Sequence, residues 1–248
     1  MNDLSGKSAL VCGGSQGIGL AAARALKARG ASVTVVARSA PPTEDGFAYL
    51  RADLERIEDL VHALEQQLAA APHFAILVNN GGGPPPGPVL DAAPEQFLAA
   101  FRQHLFAAHL LVQWVLPAMR AQGYGRIVNV ISTSVREPIV GLGVSNTVRG
   151  AVAAWSKTLS REVGKFGVTV NNVLPGATRT ARLEAIIQRK AVASSPEIVA
   201  AAMRAEIPLG RFAEPGEIGE VIAFLASPAA GYISGASLPA DGGRLHCT

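Results

Sequence analysis

Short apolar runs alternate with longer amphipathic stretches along the whole chain, and this alternation is what most constrains the fold. The strand candidates are "SALVCGG" (8–14), "SVTVVAR" (32–38), "FAYLRAD" (47–53), "FAILVNN" (74–80), "RIVNVIS" (126–132), "VTVNNVLP" (168–175) and a short "ASLPADG" (236–242). Between them lie helix-like stretches at 18–29, 55–71, 95–122, 145–166 and 215–226. The stretch at 145–166 carries Val148, Val152, Trp155, Leu159 and Val163 at helical spacing, one apolar stripe. Strands separated by helices pair in parallel, and right-handed crossovers put the helices on both sheet faces. The pattern predicts a doubly wound α/β sheet of about seven strands in a single domain over 1–248. The proline-rich "GGGPPPGP" (81–88) is too short and too embedded to divide domains, so it reads as a rigid loop.

Composition narrows the partners. A chain of 248 residues, 49% hydrophobic and 17% charged, can bury a sizeable core. The formal charge is +3, yet no run of Lys and Arg interleaved with aromatics marks a nucleic-acid surface. The two cysteines, Cys12 and Cys247, form neither a disulfide framework nor a zinc spacing and suit a reducing, cytoplasmic compartment. The N-terminus lacks the basic-then-apolar pattern of a signal peptide, and no apolar segment approaches a membrane span.

The first strand runs into "CGGSQGIG", which places Gly13, Gly17 and Gly19 in a turn, with a helix starting near Ile18. Glycine backbone there can approach a diphosphate, while helix N–H groups face the anion. A plain tight turn is the alternative, but the motif's strand–turn–helix context is present. An acid about 20 residues later would hold the ribose hydroxyls of NAD; an arginine there accommodates the 2′-phosphate of NADP. The second strand instead ends Ala37, Arg38, Ser39, so Arg38 favours NADP(H), with NAD(H) the alternative. Asp53 reads as either an adenine contact or a helix cap.

Taken with "NNGG" (79–82), "GRIVNVIS" (125–132), "VTVNNVLPGATRT" (168–180), "IPLGRFAEPGEI" (207–218) and "YISGASLPADGG" (232–243), this turn resembles the short-chain dehydrogenase/reductase family over nearly the whole chain. The resemblance implies a Rossmann-type domain, hydride transfer between nicotinamide and a small-molecule carbonyl or alcohol, and usually a homotetramer. It implies cofactor contacts at Gly13, Ser15, Gln16, Gly17, Ile18 and Gly19, at Asp53 and Leu54, at Asn80 and Gly81, and at Pro175, Gly176 and Thr180. A substrate lid is expected over about 177–206. Its Arg179, Arg182, Arg189, Lys190 and Arg204 outweigh Glu184, Glu197 and Glu206, which a solvated face or an acidic or carrier-linked substrate would equally explain.

The expected active site departs from the family. The family's Asn, Ser, Tyr and Lys positions fall here on His104, Ser132, Ser145 and Arg149, so "VSNTVRG" replaces the pattern YxxxK. Taken alone, Ser145 reads as a helix cap and Arg149 as a surface residue. As catalytic groups, Ser132 orients the carbonyl and Arg149, a permanent cation, binds the nicotinamide ribose or stabilises oxyanion charge. Ser145 with His104 or a water relays the proton. His104, on a mostly apolar helix, is alternatively a packed core residue. Two functions follow: an NADP(H)-dependent reductase with a rearranged site, or a nucleotide-binding subunit that has lost the chemistry. Apolar residues on more than one face of the helices at 95–122 and 145–166 predict a homo-oligomer.

Overall fold

The computed structural model describes residues 2–67, 73–192 and 194–247. Seven parallel strands form one sheet: β1 (Ser8–Cys12), β2 (Ser32–Ala37), β3 (Ala48–Arg51), β4 (Phe74–Asn79), β5 (Gly125–Val130), β6 (Val168–Pro175) and β7 (Ser237–Ala240). Their order is β3-β2-β1-β4-β5-β6-β7. Because β1 pairs with both β2 and β4, the strand order reverses between β1 and β4. In doubly wound sheets the ligand crevice lies at this reversal, beyond the carboxyl ends of the strands.

Alternate strand residues explain why both faces are covered. Ala9 and Val11 of β1 join Val33, Val35, Ile76 and Val78 against helices α1 (Gly17–Ala28) and α8 (Pro215–Ala226). Leu10 and Cys12 point the other way, into a core with Val36, Leu77 and Ile127. On that face lie α2 (Ile57–Gln67), α4 (Ala107–Gln122) and α5 (Gly143–Val163), which contribute Leu60, Leu111 and Leu159. Each such side chain stabilises the fold by about 1.5–3 kcal/mol relative to exposure.

The element boundaries sharpen those read from the sequence. The expected 55–71 helix is described through Gln67, and its last positions lie outside the described residues. The expected continuous helix at 95–122 is instead α3 (Pro94–Phe101), a π-helical turn at Arg102–Phe106, and α4. The wider turn shifts the facing of every residue after it, which a 3.6-residue periodicity does not anticipate. The lid region contains α6 (Ala181–Lys190) and α7 (Pro196–Ala205), capped by Thr180 and Ser195. Leu183 and Ile187 pack with Ile207 and Phe212 in a small core of their own.

The loop after β4 is pinned rather than free. Gly87 N–H donates to Gly141 O at 2.7 Å, and Gly143 N–H donates to Gly87 O at 3.1 Å. A Cβ on Gly143 would lie 2.5 Å from Val89, so only glycine lets the loop close on the start of α5 at this spacing.

Candidate active site

The turn after β1 is built from backbone. Gly13 and Gly17 have φ of 59° and 55°, the left-handed region that glycine occupies without strain. Gly19 is glycine because of close approach: its Cβ would sit 2.2 Å from Gly13 O. The Asn80 amide, at the end of β4, donates to Cys12 O at 3.2 Å and Gly13 O at 3.4 Å, tying the two reversal strands together. α1 begins here with Gln16 as an extended N-cap that makes no side-chain capping bond, and its first turn carries no acidic residue. Its N–H groups are therefore suited to an anion.

A cleft of about 660 Å³ opens over this turn. It is lined by Gly13, Ser15, Gln16, Gly17 and Ile18 at one end, by Arg38, Asp53 and Leu54 beyond β2 and β3, and by Asn80 and Gly81. Pro175, Gly176, Thr180, Ser132, Ser145 and Arg149 complete the wall, so the structure gathers almost all the residues singled out from the sequence. Gly19 lies behind the turn as its support. Such a glycine cradle fits a dinucleotide, and a Cβ on Gly17 would lie 3.4 Å from Thr180 Cγ2, placing the start of the lid over it.

Arg38 is 74% exposed and lies 4.0 Å from Asp53 Oδ2. Asp53 Oδ1 also accepts the Glu55 N–H at 3.1 Å, a local turn ahead of α2 rather than a cap on the helix itself, which begins at Ile57.

At the other end of the cleft, α5 begins at Gly143 with Leu142 as its N-cap. Ser145 is therefore inside the helix and is not its cap. Arg149, one turn on, is 8% exposed and is not a surface residue. Spacing of four puts the two on one helix face. Arg149 Nη1 donates to Val130 O at 2.7 Å, which anchors the guanidinium at the end of β5. Burial and the nearby Arg182 push its pKa down to about 10, so it remains a cation near neutrality. Ser132 Oγ accepts the Ser134 N–H at 3.0 Å, which leaves its own proton available to a ligand.

His104 is placed differently from the other three. It lies in the π-helical turn and lines a separate cavity of about 20 Å³ beneath the cleft, shared with Arg149, Asn79 and Asn129. Its Nε2 is buried without a hydrogen-bond partner. Burial, with smaller contributions from the Arg149 and Arg182 charges, pushes its pKa down to about 3. The imidazole is neutral at physiological pH and is a poor general acid.

Two features escaped the sequence reading. Asn129, next to Asn79 and Asn172 in the sheet register, bonds to both and to Ser156 Oγ, a buried amide ladder beneath the site. Arg182 of the lid, taken as one of several lid charges, donates from Nη1 to Gly83 O at 2.9 Å and from Nη2 to Pro84 O at 2.7 Å. A Cβ on Gly83 would lie 2.8 Å from its Cζ, so the third glycine of the loop is the only sequence signal for this contact.

The fold, the glycine turn and the strand-end site define a dinucleotide-binding α/β protein, and a family model described as enoyl-(acyl carrier protein) reductase matches residues 13–244. The chain belongs to the short-chain dehydrogenase/reductase family. It is 31% identical over 243 residues to an acetoacetyl-CoA reductase of Shinella zoogloeoides, covering 96% of this chain and 98% of that protein. It is 32% identical over 251 residues to a 3-oxoacyl-[acyl-carrier-protein] reductase of Vibrio cholerae, covering 97% and 98%. The L-sorbose reductase of Gluconobacter frateurii, solved with NADPH and L-sorbose, superimposes with a TM-score of 0.92 at 28% identity over all of both chains. No helix among the described residues is long and apolar enough to cross a membrane.

Proposed function

We propose that this protein is an NADP(H)-dependent oxidoreductase acting on a carbonyl or alcohol, with Ser132, Ser145 and Arg149 as its catalytic residues. The observation that carries this reading is that these three polar groups line the same cleft as the glycine turn. Gly13, Ser15, Gln16, Gly17 and Ile18 would hold the diphosphate, with Gly19 supporting the turn. Arg38 would hold the 2′-phosphate, Asp53 and Leu54 the adenine, Asn80 and Gly81 the ribose, and Pro175, Gly176 and Thr180 the nicotinamide side. In the reducing direction the bound cofactor supplies a hydride, two electrons and a hydrogen nucleus, to the carbonyl carbon, and the carbonyl oxygen takes a proton.

Ser132 donates its hydroxyl proton in a hydrogen bond to the carbonyl oxygen and fixes its position. Arg149, held in place by Val130 O, stabilises the negative charge that grows there. Ser145, on the same helix face, passes a solvent proton to the oxygen and is re-protonated through water in the cleft. His104 takes no part as an acid and instead packs behind Arg149. Trp114 and Trp155, only partly buried on α4 and α5, support a homo-oligomer. Cys12 is buried, its thiol pushed up to about 12, and Cys247 is also a free thiol, which supports a reducing compartment.

The test is NADPH oxidation with a broad panel of ketones and aldehydes. Arg149→Met lowers turnover by about 10²-fold while circular dichroism is retained, as loss of one preorganised donor does. The replacement of the Tyr/Lys pair favours a second reading, a nucleotide-binding subunit without chemistry. No turnover in the parent, with turnover in Ser145→Tyr/Arg149→Lys, would establish that reading and overturn ours.

A further inference from the structure

The catalytic end of the cleft carries positive charge that the protein does not neutralise. Among the described residues two carboxylates line the cleft, and each already faces an arginine: Asp53 lies 4.0 Å from Arg38, and Glu206 Oε2 lies 3.1 Å from Arg244 Nη2. Among the described residues, neither Arg149 nor Arg182 has a carboxylate within 4.0 Å. Both guanidiniums instead donate to main-chain carbonyls, Arg149 to Val130 and Arg182 to Gly83 and Pro84. They are close enough that Arg182 lowers the proton affinity of both Arg149 and His104. Keeping a buried guanidinium beside a half-buried one is costly unless an anion joins them.

From this placement we infer that the substrate is an oxo acid, a ketone or aldehyde bearing its own carboxylate, with Arg182 holding the carboxylate while Arg149 faces the carbonyl oxygen. The inference rests on the oxidoreductase reading for the carbonyl, but not for the anion. Phosphates of the cofactor are assigned elsewhere, to the α1 N-terminus and to Arg38. Arg182 is tied to the loop that follows Asn80 and Gly81, at the nicotinamide end. Two of its five N–H groups go to the carbonyls, leaving donors for a carboxylate, which the planar fork matches. The neighbouring wall is apolar, with Ile139, Val140, Leu142, Ile186 and Met203, and suits a short hydrocarbon chain. Arg189 and Lys190 also line the cleft, but both are exposed, so the half-buried Arg182 is the guanidinium a carboxylate would meet.

The experiment compares 2-, 3- and 4-oxopentanoate with their methyl esters, reading kcat/KM from NADPH oxidation. At least one acid should exceed its ester by about tenfold, the scale of one charge-assisted contact. Arg182→Leu should bring that ratio near unity with NADPH affinity retained, and Arg182→Lys, which keeps the charge but not the fork, should restore part of it. Thermal melting checks that both variants fold. Esters reduced as well as acids would overturn the inference. So would dihydroxyacetone phosphate outrunning every acid, or an Arg182→Leu variant that loses NADPH affinity with the ratio unchanged. Calorimetry with pentanoate, which cannot be reduced, separates the two readings. Pentanoate bound by the NADP⁺-loaded protein and lost in Arg182→Leu, without turnover of any ketone, keeps the anion site and sinks the reductase. No pentanoate binding and no turnover sinks both.

Discussion

The two ends of the cleft are built by opposite means. Around Gly13, Gly17 and Gly19 the ligand surface is main chain, and what matters is that no side chain be present. Around Ser145 and Arg149 the surface is side chain, hung on a helix that would fold much the same with other residues there. A turn made of close backbone approaches tolerates almost no substitution, because a Cβ on Gly19 would meet a carbonyl oxygen with nowhere to move. A helix face tolerates exchange of function while the backbone stays in place. The comparison teaches why the glycine turn is fixed while the helix face at the other end is free to carry Ser145 and Arg149.

The largest effect is expected where that contrast is sharpest. Gly19→Ala puts a methyl 2.2 Å from Gly13 O and 2.6 Å from Asn80 Nδ2, so the turn must open. Overpacking of this kind costs about 1–3 kcal/mol and displaces the N–H groups that would meet the diphosphate. We expect NADPH affinity to fall by about 10²-fold, measured by fluorescence titration. An alanine variant that binds NADPH as the parent does would show that the backbone end is as adaptable as the side-chain end, and the comparison would fail.

This asymmetry also decided what the sequence revealed. The glycine turn and all seven strands were legible, because glycine spacing and apolar runs are set by backbone geometry and burial, which act locally. Ser145 and Arg149, which alone read as a cap and a surface residue, were pointed to only by the family resemblance. The π-helical turn was not legible, since "FRQHLF" has apolar spacing close enough to an ordinary helix and the extra residue shows only in the hydrogen bonds. His104 takes the packed placement that the apolar run had offered as its alternative, beneath the cleft instead of in it. Arg182 was hidden for another reason: its partners are carbonyls 98 and 99 residues away, and a carbonyl has no sequence signature.

A second experiment sharpens the comparison at its buried side. His104 titrates at about 3 in the folded chain against 6.5 for an ordinary histidine. The unfolded chain therefore binds a proton that the folded chain refuses as pH falls below 6.5. Stability from this group is complete above that value and is lost down to the folded pKa. The slope approaches about 1.4 kcal/mol per pH unit. Between pH 6.5 and 4.5 the effect is separable from Glu217, whose pKa is lowered from 4.5 to about 2. Urea unfolding of His104→Gln over that window should give a flatter dependence of stability on pH. An unchanged slope would show that the imidazole is not held neutral, and would return it to the candidates for proton donor.

The smallest effect is expected at Arg38, an exposed side-chain contact in the backbone-built end. Its guanidinium is 74% exposed, so its attraction to a 2′-phosphate is screened by water and salt, and one surface charge is worth about 1 kcal/mol or less. A phosphate dianion and a forked donor raise that to roughly tenfold in affinity. In Arg38→Asp, the new carboxylate lies on the same side as Asp53 and repels the phosphate, while offering the ribose hydroxyls the acceptor that NAD-binding sites use. NADPH should therefore bind about tenfold more weakly and NADH more tightly, with the NADPH loss shrinking as ionic strength rises. Dissociation constants by calorimetry at two salt concentrations check this. Equal affinities for NADPH and NADH in the parent would remove Arg38 from the site.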